Sequence, residues 1–224
     1  MSILGSRSRC LLIAAGVLLC GCASNDVDQQ VKRLQARATY EQGIKHLEER
    51  RVALGMAALQ EAIQLEPDNA LYRNALGIVQ LDLGRRAEAQ ELFQKALELD
   101  PNFAEAYLNL GVARAEQGKY EEAVTSYKKA LSYPTYTSPE VAYHNLGFAY
   151  LRLKQFKEAE ESFRIAIRLD AQRPSAHYWL GVALVELGRM DEAKGSFRTA
   201  RDLDPTSFIG RAAGQSLKNL GDGG

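Results

Sequence analysis

Apolar and polar positions alternate with a helical period through most of this chain, and the helical stretches come in pairs. Residues 108–116 and 121–131 each carry an apolar face. Between them Gln117-Gly118-Lys119 breaks the pattern, which predicts a helix, a tight turn and a second helix. The paired pattern then recurs. Gly43, Gly77, Gly111, Gly147 and Gly181 open equivalent positions at spacings of 34, 34, 36 and 34 residues. Aligned on them, the chain divides into units 36–69, 70–103, 104–137, 140–173 and 174–207, with 138–139 inserted.

The units share their side chains as well as their length. A leucine precedes the glycine in units two to five, at Leu76, Leu110, Leu146 and Leu180. Twelve residues after the glycine stands a small residue: Gly55, Ala89, Ala123, Ala159 or Ala193. Four further on is a large apolar one, Leu59, Phe93, Tyr127, Phe163 or Phe197. Three beyond that is Ala62, Ala96, Ala130, Ala166 or Ala200. These last three positions fall at i, i+4 and i+7, so they share one face of the second helix. Small residues let two helices approach, and the large one fills the gap between them. Pro67, Pro101 and Pro205 close units one, two and five, where Leu-Asp-Pro or Leu-Glu-Pro is expected to end one hairpin and cap the next helix. Across residues 36–207 this pattern resembles the tetratricopeptide repeat (TPR) family. The resemblance implies an all-α solenoid of five helix-turn-helix repeats, in which stacked neighbours bury what a lone hairpin cannot. Residues 28–35 are expected to extend the first helix. Residues 206–220 are expected to form a capping helix, with Thr206 or Ser207 as N-cap and Gly221 as terminator, so that 208–224 comprises cap and frayed tail.

The first 21 residues follow another rule. Arg7 and Arg9 precede an apolar run, residues 10–20. Its 11 residues are too few for a membrane of roughly 30 Å, but suit the core of a signal peptide. The run ends in Leu19-Cys20-Gly21-Cys22, which resembles the bacterial lipobox, with Cys20 where Ala, Ser or Thr is usual. The resemblance implies cleavage before Cys22 and covalent lipid on that cysteine, with residues 22–35 as lipidated cysteine, tether and helix extension. Several acyl chains anchor a protein stably where one does not. A plain secretory signal with Cys22 near the cut is the alternative. Ala23 is not the aspartate that retains lipoproteins in the inner membrane of enteric bacteria, so the expected location is the periplasmic face of a Gram-negative outer membrane. The remainder of the chain has no cysteine, which fits an exported protein.

Composition narrows the function classes. Lys plus Arg and Asp plus Glu are 28 each, so no basic excess exists to neutralise phosphates and no nucleic-acid partner is expected. There is no phosphate-binding glycine loop, metalloprotease His-Glu-x-x-His or nucleophile elbow, and Cys20 and Cys22 are too close for a zinc loop. His46, His144 and His177 each occupy a position that the repeat already explains. Neither an enzyme, a metal, a cofactor beyond the covalent lipid, nor a small-molecule substrate is expected.

What remains is protein binding. In the TPR family the first helices line a groove, and the resemblance puts positions 5, 9 and 12 of each unit there. Here those are Asn74, Ile78 and Leu81; Leu108, Val112 and Ala115; His144, Phe148 and Leu151; and Tyr178, Val182 and Val185. Positions 4, 7, 8 and 11 would face the packing core. The stripe is mostly apolar, which marks a protein-binding surface. Of the lysines and asparagines of TPR clamps for acidic C-termini it carries only Asn74, and superhelix curvature is the alternative that would bury some of its members. The insertion offers a second candidate: Tyr133, Pro134, Tyr136 and Pro139 combine stiffness with aromatic anchors, or else form only a longer turn. Behind a lipobox and these repeats, the segment 133–150 resembles the PilF/PilW/Tgl family of type IV pilus biogenesis lipoproteins, the pilotins. That resemblance implies binding to the pilus secretin and help with its outer-membrane localisation and multimer assembly. An adaptor for peptidoglycan enzymes or outer-membrane protein assembly is the other reading.

Overall fold

A computed structural model of the chain describes residues 8–134 and 136–222, with side chains from Val27 onward. Cys22 and the expected leader therefore lie outside the residues whose side chains are described. Among the described residues the chain is all-α, with eleven helices: α1 (Ser8–Glu48), α2 (Val52–Leu65), α3 (Ala70–Asp82), α4 (Arg86–Leu99), α5 (Ala104–Glu116), α6 (Tyr120–Leu131), α7 (Pro139–Arg152), α8 (Phe156–Leu169), α9 (Pro174–Glu186), α10 (Met190–Leu203) and α11 (Phe208–Asn219). None of them, among those residues, is long and apolar enough to cross a membrane.

The helices fall into two units, residues 1–76 and 77–224. In the first, α1 packs on α2 where Gly43 and Gly55 face each other. A Cβ on Gly55 would lie 2.6 Å from the Leu47 side chain. Ala36, Ala62 and Tyr72 form a small core, with Tyr40 stacked on Tyr72 at 5.0 Å. Residues 27–35 continue α1 as exposed helix.

The second unit stacks hairpin on hairpin. Each helix packs on its sequence neighbours, and α5, α7, α9 and α11 also touch in turn. The repeated glycines mark the closest approaches within hairpins. A Cβ on Gly111 would stand 2.4 Å from the Tyr127 ring, and on Gly147 2.9 Å from Phe163. The ring thus occupies the space that any side chain would need. Phe93, Tyr127, Phe163 and Phe197 are buried together with the alanines on either side of each. Position 10 joins positions 7 and 8 in the core through Ala113, Ala149 and Ala183, and position 3 through Ala106, Ala142 and Ala176, all six without exposed surface. Position 4 (Tyr107, Tyr143, His177) is only half-buried, which corrects the expected core register there; position 11 is buried at Gln80, Tyr150 and Leu184 and half-buried at His46 and Arg114.

The turns follow from local chemistry. Gly118 takes φ 79° and donates to Ala115 O at 2.9 Å, while Lys119 N donates to Arg114 O at 2.9 Å, the paired bonds of a Schellman stop. Between hairpins, Asp100 ends α4 but does not cap α5. Its carboxylate accepts from Asn102 N at 2.9 Å, inside the turn, and the residue before α5 is Phe103, which has no capping oxygen. Side-chain caps are seen at two helices: Asn69 Oδ1 accepts from Leu71 N at 3.0 Å before α3, and Ser207 Oγ accepts from Gly210 N at 3.0 Å before α11. Hydrogen bonds also tie hairpin to hairpin along one edge. Gln117 Nε2 donates to Gln90 Oε1 at 2.9 Å, and Arg189 donates to Glu160 at 2.6 Å while also pairing with Glu192 of its own hairpin at 2.6 Å. Burial tends to raise the Glu160 carboxyl, but hydrogen bonds from Arg164 and Arg189 outweigh it and hold the group below its ordinary range. Exposed pairs of this kind contribute little singly, roughly 0–1 kcal/mol.

Candidate functional site

The stripe on the first helices is where the second unit leaves apolar surface half open. Leu108, Val112 and Ala115 on α5, Phe148 and Leu151 on α7, and Tyr178, Val182 and Val185 on α9 are each half-buried, backed against the main core. Leu81 on α3 packs in the same way on the Phe93 cluster, and Ile78 is 40% exposed. Asn74, in the first unit, is the exception. It is buried, 5% exposed, and cannot line a groove. Ala75, Leu76 and Gly77, which follow it on α3, are buried as well, so this turn of the helix faces inward, which corrects the expectation for that position.

Between α5 and α7 the stripe deepens into a cavity of about 390 Å³, lined by Val112, Ala115, Glu116, Tyr120, Tyr127, Asn145, Phe148 and Arg152. Phe148 meets the edge of Trp179 at 5.0 Å, and Trp179 in turn meets Tyr178 at 5.0 Å, so an aromatic wall runs from α7 to α9. The sequence pattern missed Trp179, Asn145, Tyr120 and Arg152. They stand at position 6, at the start of a second helix and at the last turn of a first helix, outside a stripe read at i, i+4 and i+7. A signal was present in the chain's one tryptophan, which follows a stripe residue directly.

His144 sits at the base of the stripe. Its Nδ1 is 3.3 Å from Asn145 Oδ1, its ring meets Phe163 edge-on at 5.8 Å, and its Nε2 is buried with no protein partner. Burial, with a smaller push from Arg173, takes its pKa below the ordinary 6.5, despite the Asn145 contact. The unfolded chain therefore takes up this proton first as pH falls. Above 6.5 both states are neutral and His144 contributes no pH dependence; below it, stability declines until the folded pKa is reached. Urea unfolding between pH 7.5 and 5.5 should show this acid-side loss, and His144→Gln should flatten it.

The insertion has turned inward. Tyr133 Oη donates to Pro101 O at 2.6 Å, its ring stacks on Tyr107 at 5.9 Å, and Lys129 Nζ lies 5.0 Å from its centre. Tyr136 is 8% exposed against Ala104 and Ala142, and burial, with Glu105 and Glu140 nearby, pushes its pKa up to about 12. Pro139 begins α7 and Pro134 is exposed. Unit three lacks the closing proline turn, and the two tyrosines fill the space between α5 and α7 instead. They are spent on the chain's own packing and are not presented as anchors.

A further cavity of about 490 Å³ lies among α6, α7 and α8, with Lys128 over the Tyr150 ring at 5.6 Å and Glu158 and Glu161 on its rim. Among the described residues, no cluster of His, Cys, Asp and Glu could hold a metal ion.

Comparison with known proteins adds kinship. The family described as tetratricopeptide repeat matches residues 74–137 and 144–208. No curated protein matches the sequence. Among solved structures the chain is similar to PilW, a widely conserved type IV pilus biogenesis factor, with TM-score 0.75 and 22% identity over 84% of this chain and 88% of that one. It is also similar to PilF of Pseudomonas aeruginosa, with TM-score 0.70 and 22% identity over 88% and 95%. A third likeness is to MamA of Desulfovibrio magneticus RS-1, with TM-score 0.69 and 22% identity over 78% and 97%.

Proposed function

The chain belongs to the tetratricopeptide repeat family, and from that premise we propose that it is a lipid-anchored scaffold for type IV pilus assembly. In this reading lipid on Cys22 holds it to the inner leaflet of the outer membrane, and the half-open stripe on α5, α7 and α9 grips a segment of the pilus secretin. The observation that carries the proposal is that stripe, apolar and backed by a packed core, a surface for binding and not for chemistry. The likeness to PilW and PilF supplies the pilus, and the lipobox supplies the membrane. Confining scaffold and secretin to one membrane raises their effective concentration, so a modest intrinsic affinity suffices.

The comparable likeness to MamA means that the fold by itself does not single out the pilus, and the second reading is an adaptor for a different envelope complex. One experiment separates the two. In a strain lacking this protein, secretin multimers should be lost and twitching should stop. Normal multimers, with cell-wall or outer-membrane assembly proteins recovered on the purified chain, would give the adaptor reading the field.

A further inference from the structure

We propose that the cavity between α5 and α7 receives a large apolar side chain from a partner segment, and that an acidic residue beside it pairs with Arg152. This rests on the reading of the stripe as a partner-binding surface and specifies the partner's chemistry.

The space comes first. A protein cavity of about 150 Å³ accommodates benzene. The one here is about 390 Å³ and is floored by Val112, Tyr127 and Phe148, so one aromatic or branched aliphatic group fits with room for its backbone.

Charge comes second. Two charged residues line the cavity, Glu116 and Arg152. Glu116 is already engaged, since its carboxylate accepts from Arg86 Nε at 3.0 Å. Arg152 has no acidic partner among the described residues. Its guanidinium lies over the Tyr120 ring, 4.8 Å from the ring centre. Stacking uses the face of a guanidinium and leaves the in-plane N–H donors along its edge, the geometry a carboxylate accepts in bidentate fashion. The cavity therefore presents a greasy floor and one oriented cation at its mouth. A basic segment would meet uncompensated repulsion there, and a wholly apolar one would leave Arg152 partly desolvated without a partner.

Selection of a random dodecapeptide phage library on the full chain tests this. The native chain should enrich peptides with a large apolar residue next to Asp or Glu. Arg152→Gln should bind those peptides about tenfold more weakly. Arg152→Glu should enrich Lys or Arg at the same place, and Arg152→Lys should keep the acidic preference. Circular dichroism of each variant verifies that it is folded. Enriched peptides with no acidic residue, or the same peptides on native and Arg152→Glu chains, would overturn the proposal while leaving the stripe a binding surface. If nothing enriches, or if binding ignores Val112→Arg, both the proposal and the stripe as a binding surface fall. A native dimer in sedimentation that Val112→Arg makes monomeric would put a second copy in the cavity and overturn the proposal.

Discussion

Phe163→Ala lowers the free energy of unfolding by about 3–5 kcal/mol, the cost of removing a large ring from a site that cannot collapse. The ring has no exposed surface and sits where a Cβ on Gly147 would be, 2.9 Å away. Its neighbours along α8 are Ala159 and Ala166, which have no atoms to move into the void. Nor can α7 and α8 draw nearer, because glycine and alanine already set the distance between them. Against a total stability of roughly 5–15 kcal/mol, such a loss is large. Repeat stacks hold together through intrinsic repeat stabilities plus nearest-neighbour interfaces. Loss of a central hairpin should therefore also broaden the transition, as the two sides of the stack melt separately. Urea unfolding followed by circular dichroism measures both effects. A loss below about 1 kcal/mol would mean that the hairpin collapses into the space the ring leaves.

Phe148→Ala acts on the other axis. It should weaken binding of the partner segment by at least about 2 kcal/mol, roughly 30-fold, as truncation of a central aromatic anchor does. Phe148 both lines the cavity and leans on Trp179, so its removal takes the wall from the apolar seat and frees the indole together. It is only half-buried, and its structural cost should fall well short of that at Phe163. Since Trp179 is the only tryptophan, its emission reads the site directly. Titration with partner segment should shift that emission in the native chain and leave the variant nearly unchanged. Equal affinity in the two chains would remove the stripe from the binding surface.

Much of the architecture was legible because it rests on bulk, and bulk is written residue by residue. A glycine every 34 or 36 positions, answered sixteen residues later by Phe or Tyr, or by Leu59 in the first unit, is a packing instruction that no loop disturbs. Subtler register was not read. Ala106 and Ala113 are as deeply buried as any residue, but alanine is common on exposed helical faces and carries little signal alone. The repeat register assigns Asn74 to the groove, but unlike its equivalents Leu108 and Tyr178 it is buried. Tyr133 and Tyr136 looked like anchors because they are aromatic side chains in a segment stiffened by two prolines. Their inward turn depends on Pro101 O and Ala104, about 30 residues earlier in the chain, and on Ala142 just after them. The cavity itself escaped for the same reason. It arises between two hairpins, where Arg152 finds Tyr120, and no spacing within one hairpin encodes it.

In the second unit, helices meet chiefly those that precede or follow them along the chain. Few distant stretches must find each other before structure forms, so closing the chain into shape exacts little loop entropy and folding is fast. The same economy makes the stack an elastic body. A small tilt at each of several joints adds up along its length, so its two ends can shift farther than any single joint has to give.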